Sequence, residues 1–432
     1  MDTILIKAAQ LILSLSILVI VHEFGHFILA KIFKVRVEKF YLFFNPWFPL
    51  FKFKPKNSET EYGIGWLPLG GYVKISGMMD ESMDKEALAQ PPQPWEFRTK
   101  PAWQRLLIMV GGVFMNFILA FFIYSMFVMK WGDSYIPIDK TPLFFSEVAH
   151  QAGFQDGDIL LMADGKRLTR YDDLDLFRVI SSQNVTLLRD GQEQTIQLPE
   201  NFEAQFLAAK TPFADIRSTT RIDSLIPGDN AEKAGLKVGD EILSVNGINT
   251  VSFVSFTDAL SKNKDSDVQM EVLRGDEKIT LTVRVNANGK IGFSPKREHV
   301  TNYYNFFQSF SAGIYLGVRK ISFYVLQLRL IFTRAGFRSI GGFGSIGNLF
   351  PAEWSWPDFW NMTAFLSVVL GIMNLLPIPA LDGGHVMFLL YEVVSGRKPN
   401  EKFMEYAQIA GMIFLLLLIL YANGNDVLRF FK

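Results

Sequence analysis

The run ILIKAAQLILSLSILVIVHEFGHFILAKIF, residues 4–33, is apolar for long enough to cross a bilayer core, yet its second half carries His22, Glu23 and His26. It therefore reads as a membrane-spanning helix with three ionisable groups inside it. At membrane depth each such group costs about 3 kcal/mol, so it persists where it pairs, binds a metal or faces a watery cavity. The bland reading is a hydrogen-bonded pair of core histidines beside a buried acid, an arrangement that lipid makes expensive. The apolar run continues beyond a signal-peptide h-region and shows no small-residue cleavage site before the histidines, so a retained helix is expected.

Three further apolar stretches, 106–129, 359–391 and 406–421, approach or exceed the roughly 20 residues a bilayer requires. The last is short and has Gln408 near its start. The segment 303–332 is also apolar, but Arg319, Lys320 and Arg329 interrupt it, and an amphipathic helix on the bilayer surface accommodates those charges more cheaply. The Lys- and Arg-rich pieces KIFKVRVEK and FKFKPK follow the first span, which makes that end cytoplasmic by the positive-inside tendency.

Between the second and third stretches lies a polar region with an internal echo. AGFQDGDILLMADGKRL at 152–168 recurs as AGLKVGDEILSVNGINT at 234–250, and each is followed by a hairpin pattern, LLRDGQEQTIQL or VLRGDEKITLTV. Gly-Asp, Asp-Gly and Asn-Gly turns between alternating apolar residues indicate two strand-rich modules of under 100 residues. They resemble bacterial, circularly permuted PDZ domains, best in PGDNAEKAGLKVGDEILSVNG, and GKIGFSP at 289–295 looks like that family's peptide-binding strand. Such a module binds peptides by adding them to a sheet edge, and the alternative is a spacer or steric cover.

Composition narrows the chemistry. The 43 basic and 43 acidic side chains balance, and no basic stripe with interleaved aromatics occurs, so nucleic acid is not an expected partner. With no cysteine, a metal must be held by nitrogen and oxygen. His22 and His26, four apart, share one helix face and can reach one metal while Glu23 reaches a bound water, which is zinc hydrolase geometry. A catalytic zinc takes three protein ligands and keeps a position for water. NLLPIPALDGGH, 374–385, offers two candidates for the third, Asp382 and His385, just beyond Pro377 and Pro379, which break the helix. Without the first motif Asp382 would read as a turn aspartate beside Gly383. Ligands near the C-terminal ends of spans one and three can meet only if those spans run in the same direction, so 303–332 must not cross.

HEFGH, the GxxxN of GVFMN at 112–116, the paired repeats and NLLPIPALDGG occur together in an order that resembles the site-2 protease family of intramembrane zinc metalloproteases, in its bacterial regulator-of-sigma-E protease type. The likeness covers nearly the whole chain, although GGVFMN departs from the GPxxN of many relatives. It implies Zn2+ on His22, His26 and Asp382, Glu23 as the base that activates water, and Asn374 as a hydrogen-bonding partner of the substrate backbone. EYGIGWLPLGGYVKISGM at 61–78 resembles the family's membrane-embedded β-hairpin, whose edge, with Gly71, Tyr72 and Val73, would pair with an unwound substrate. The implied partners are single-span membrane proteins already cleaved on the outer side, of the anti-sigma-factor or remnant-signal-peptide type, together with the lipid bilayer.

The expected fold is a multi-pass α-helical membrane protein with four transmembrane helices, a membrane-embedded β-hairpin and two inserted β-rich PDZ domains. Its parts are a first span with HExxH (1–33), a cytoplasmic-side loop with the re-entrant hairpin (34–104), a second span (105–130), PDZ domains at 131–215 and 216–298, surface amphipathic helices (299–358), a third span (359–391) and a fourth with the C-terminal tail (392–432). The expected location is a bacterial inner membrane, with the PDZ domains periplasmic and the active site nearer the cytoplasmic face. Two other function classes compete. A membrane PDZ scaffold with a non-catalytic metal site would not need Glu23, and an ion-coupled transporter would show repeated halves with broken helices, whereas the repeat detected is soluble.

Overall fold

The computed structural model describes residues 3–68, 70–78, 90–209, 211–216, 220–250, 253–296, 299–331 and 340–430. The chain forms two compact units, one of Met1–Gly132 with Tyr303–Lys432 and one of Asp133–Asn302.

The first unit is helical. Its helices are α1, Thr3–Ile32; α2, Ala102–Trp131; α3, Phe306–Ile331; α4, Phe343–Gly347; α5, Trp356–Leu375; α6, Asp382–Ser395; and α7, Glu401–Phe430. Among the described residues, α1, α2, α5 and Lys402–Arg429 within α7 are long and apolar enough to cross a membrane. Side-chain contacts give their directions. Going up α1, His22 meets Asn116 and His26 meets the Ile108 carbonyl, so α2 runs antiparallel to it. Gln10 donates to the Pro351 carbonyl just before α5 (3.0 Å), and His22 lies by Asn374 near its end, so α5 runs parallel to α1. Spans one and three thus share a direction, as ligand depth requires.

The third span at 359–391 is broken where Pro377 and Pro379 lead one to expect, into α5 and α6. Ser355 caps α5 by accepting from the Asp358 amide, with Pro357 in the first turn, and the helix stops before Pro377. Ala380 holds φ +78°, in the left-handed region, at a cost of about 1–3 kcal/mol, before α6 starts at Asp382. The carboxylate at the first turn suits the partial positive charge there, and Gly396 closes α6 in a left-handed C-cap.

Segment 303–332 departs from expectation. Instead of lying flat across the helix ends, α3 lies lengthwise against α2. A Cβ on Gly313 would come within 2.4 Å of the Ser125 amide nitrogen, and one on Gly317 within 2.5 Å of the Phe121 ring. These small residues, four apart, let the backbones approach as in membrane helix pairs. Leu316, Ile321, Tyr324 and Leu328 pack on a cluster built from α2 and α5 that includes Ala120, Ile123, Ala364 and Val368. The chain still makes no net crossing here. α3 begins beside the C-terminal half of α2, and Asn348, beyond it, bonds Lys7 at the start of α1.

The segment 61–78 is not a hairpin. Strands β1, Val37–Leu42; β2, Phe51–Phe53; β3, Glu61–Ile64; and β4, Tyr72–Ile75 form one sheet in the order β2-β3-β1-β4. β1 stands between β3, which is parallel to it, and β4, which is antiparallel. Glycine explains the insertion. A Cβ on Gly63 would lie 2.3 Å from the Tyr41 ring and one on Gly71 would lie 2.7 Å from the Tyr41 carbonyl, so both neighbours of β1 make room for it. These glycines are sites of close approach.

The second unit contains two modules with one plan. In the first, a sheet of Ile159–Ala163, Lys166–Arg167, Asn184–Arg189 and Gln192–Gln197 has the same strand order as Glu241–Val245, Ile248–Asn249, Asp267–Arg274 and Glu277–Arg284 in the second. Each has its own apolar core, around Leu160 and Val185 or around Ile242 and Met270. A two-stranded sheet closes each module, Leu143–Phe145 with Ala214–Ile216 and Ile222–Leu225 with Phe293–Pro295. The expected boundary at 215/216 thus falls inside the strand Ala214–Ile216 and moves to just beyond it. Asp133–Tyr135 pairs with Val300–Asn302, so the unit ends at 302 instead of 298. Both modules clamp the first turn with an equivalent pair, Arg189 to Asp158 and Arg274 to Asp240, each 2.7 Å. Burial alone would push the Asp240 carboxyl up, but hydrogen bonds from Arg274 and the Lys237 amide hold it below the usual carboxylate range.

Candidate active site

His22 and His26 lie one turn apart on the buried face of α1, and Asp382 opens α6 directly after the Pro-broken turn. Asp382 Oδ2 is 3.1 Å from His22 Nε2 and 3.3 Å from His26 Nε2, and the two Nε2 atoms are 3.3 Å apart. These three are the group of metal-ligating side chains that converges among the described residues.

The outer contacts decide which nitrogen is free. His26 Nδ1 lies 2.8 Å from the Ile108 carbonyl, which can only accept, so Nδ1 carries the proton and Nε2 offers its lone pair. His22 Nδ1 lies 3.0 Å from the Asn116 amide, whose Oδ1 is buried without a hydrogen bond. Turning that amide so that its oxygen accepts from Nδ1–H gives His22 the same tautomer. Two imidazole lone pairs and the Asp382 carboxylate then face one another with no proton between them. Asp382 Oδ2 is itself buried without a hydrogen bond, so a cation is the partner this donor set lacks. Two nitrogens and one oxygen suit zinc with a coordination position left open.

Gly112 leaves the room. A Cβ there would lie 2.4 Å from His26 Nε2 and 2.8 Å from His22 Nε2, inside the volume where the three donors meet. The helices are held this close by Gly25, whose Cβ would be 2.2 Å from the Gly111 carbonyl oxygen. Gly112, Asn116 and the Ile108 carbonyl are site residues to which the sequence reading assigned no role. Their signal was the GxxxN spacing, which places Gly112 and Asn116 one turn apart on one helix face.

Glu23 is within electrostatic reach of His22, His26 and Asp382. β4 is an edge strand of its sheet and comes up to this turn of α1, since a Cβ on Gly71 would touch Val19 and Glu23. Tyr72 stacks on Tyr41 (5.3 Å) and donates to Asn45 (2.8 Å), which holds β4 in place. The Asn374 amide is 3.4 Å from His22 Nε2, at the rim of the cluster. His22, His26, Asp382 and Asn374 therefore stand together, with Glu23 and Gly71 beside them. The rival ligand does not join them, for His385 Nε2 lies 3.3 Å from Gln408 of α7.

The sequence has relatives along its full length. It is 29% identical to a putative zinc metalloprotease of Vibrio cholerae, covering 99% of this chain and 100% of that one. It is 30% identical to protease RseP of Yersinia pestis, again over 99% and 100%. It is 28% identical to regulator of sigma-E protease RseP of Escherichia coli K12, over 98% of both. The match to peptidase family M50 runs from residue 10 to residue 418, enclosing the histidine pair, Glu23 and Asp382, and the chain belongs to that family.

Proposed function

We propose that this chain is an intramembrane zinc metalloprotease that hydrolyses peptide bonds within the transmembrane segments of single-span proteins. The observation that carries the reading is the meeting of Asp382 Oδ2 with two imidazole Nε2 atoms, beside Glu23, inside helices apolar enough to span a bilayer. His22, His26 and Asp382 would hold a zinc ion, which would supply Lewis acidity toward a bound water and toward the scissile carbonyl. Glu23 takes the proton of the attacking water and returns it to the leaving amine. The open edge of β4 offers Gly71, Tyr72 and Val73 to a substrate strand running past the Glu23 carboxylate. Pairing there holds the substrate extended, which is needed because carbonyls engaged in a helix are poor targets, and Asn374 binds its backbone from the other side of the cluster. A scaffold with a structural metal would have no use for a carboxylate at Glu23.

The two modules of 133–302 are read as PDZ domains on the outer side, where they exclude substrates that still carry bulky outer domains. The substrates are then membrane proteins trimmed beforehand on that side, of the anti-sigma-factor or remnant-signal-peptide kind. The active site lies nearer the cytoplasmic face of the inner membrane, because the Lys- and Arg-rich loop follows the metal end of α1. The test is Glu23→Gln in liposomes with a panel of single-span substrates. Zinc content should stay at the wild-type level while cleavage disappears, and turnover near wild type would refute the assignment.

A further inference from the structure

The sheet that presents β4 to Glu23 has a second edge, β2, with a composition of its own. Phe51 and Phe53 are 61% and 55% exposed, and Trp47, Phe48 and Leu50 beside them are 89%, 55% and 65% exposed. The arrangement is built rather than loose. Trp66 stacks on Trp47 and Phe48 at 6.0 and 6.2 Å, and its indole N–H donates to the Pro46 carbonyl at 3.0 Å. Trp47 is held at φ +73°, a strained conformation for a bulky residue. Lys52, Lys54 and Lys56 alternate with these apolar groups and are exposed, with no ion pair among the described residues. On a strand, alternation sends Phe51 and Phe53 to one face and Lys52 and Lys54 to the other. In water such an edge invites aggregation.

Its depth is set by the same sheet. Phe27, the residue after His26, packs its ring on Phe40 of β1 (5.5 Å) and near Tyr62 of β3 (6.2 Å), so the sheet lies alongside α1 before that helix ends at Ile32. β2 is two strands out from β1, about 10 Å to the side at the usual strand spacing. On the membrane reading of α1, that places it near the level where hydrocarbon meets headgroups.

We propose that the β2 edge, residues 47–56, is a docking surface for anionic phospholipid headgroups of the leaflet at the C-terminal end of α1. The aromatic face sinks into the acyl boundary while the three lysines reach the phosphates, the division of labour typical of interfacial Trp, Phe and Lys. Charge complementarity selects the occupant, since residues 47–56 carry three cations and no acid. β2 and β4 are opposite edges of one hydrogen-bonded sheet, so lipid held at one edge steadies the other beside Glu23. The proposal rests on the membrane reading of α1 and not on catalysis.

The test uses the full chain with Glu23→Gln, which removes turnover from the question. Because the protein has no cysteine, Phe53→Cys gives a single spin-label site. Its oxygen and nickel-complex accessibilities are measured in bilayers of phosphatidylcholine with and without phosphatidylglycerol. The label should be lipid-buried with phosphatidylglycerol and more water-exposed without it. Adding Lys52→Gln, Lys54→Gln and Lys56→Gln should lower the docked-to-undocked ratio about fivefold per lysine. A label equally exposed to water in both bilayers overturns the proposal and points to a protein partner on this edge. A label equally buried in both, with the lysine changes silent, overturns it in favour of insertion without anionic recognition.

Discussion

Gly112→Ala should empty the metal site without unfolding the protein. The added Cβ would sit 2.4 Å from His26 Nε2 and 2.7 Å from His22 Cε1, where an ordinary contact is 3.4 Å or more. One or both rings must therefore retreat by up to about 1 Å, while metal–ligand distances tolerate about 0.2 Å. Opening the helix pair instead would give up the backbone-to-backbone contact of Gly25 with Gly111 and with Gly112 itself. Disturbing an outer-shell partner costs roughly 10–100-fold in metal affinity. Displacing two ligands should exceed that, with at least 100-fold weaker zinc binding and no detectable cleavage. Helix propensity works in the opposite direction, favouring alanine by about 1 kcal/mol, so α2 itself should form. Gly424→Ala, where a Cβ meets nothing within 4 Å, is the control. The assay is zinc titration of the purified, metal-stripped variants in detergent, with circular dichroism as the check on fold. A folded Gly112→Ala protein that binds zinc with wild-type affinity would refute the placement of the site against this glycine.

The rival ligands separate cleanly. Asp382→Ala should lose zinc and activity, whereas His385→Ala should keep its zinc and give up only the Gln408 contact, as metal analysis of both proteins will report. Replacing residues 137–298 with a short linker, so that Asp133–Tyr135 can still pair with Val300–Asn302, should leave zinc content unchanged and admit substrates with large outer domains. Continued rejection of those substrates would place the filter elsewhere. Because the Asp240 pKa is depressed by folding, its contribution is present above the unfolded carboxylate pKa near 3.9 and fades as pH falls through the lower folded value. Arg274→Gln should lower the melting temperature at neutral pH and shrink that acid-side loss, seen as a flatter dependence of melting temperature on pH in the acid range.

Much of the site is legible in the amino-acid sequence, because its physics is local or nearly so. His22, Glu23 and His26 share a helix whose period is known, and lipid makes their presence costly unless they act together. The same holds for the apolar spans and for the repeated turn signals of the two modules, where Gly-Asp and Asn-Gly fix chain reversals within a few residues. Choosing Asp382 over His385 needed the family pattern, since both stand within one turn of the same proline break. What a linear reading missed are the contacts made by groups with no side chain to announce them. Gly63 and Gly71 announce nothing by themselves, and only the Tyr41 ring and carbonyl lying against them reveal that β1 slots between β3 and β4. Arg319 and Lys320 argue for the bilayer surface, yet Gly313 and Gly317 bring α3 lengthwise onto α2. Gly112 and the Ile108 carbonyl complete the metal cradle from a helix more than 80 residues away from His26. A side chain carries its chemistry in its name, but the space left by a missing Cβ acquires meaning only when another segment arrives to fill it.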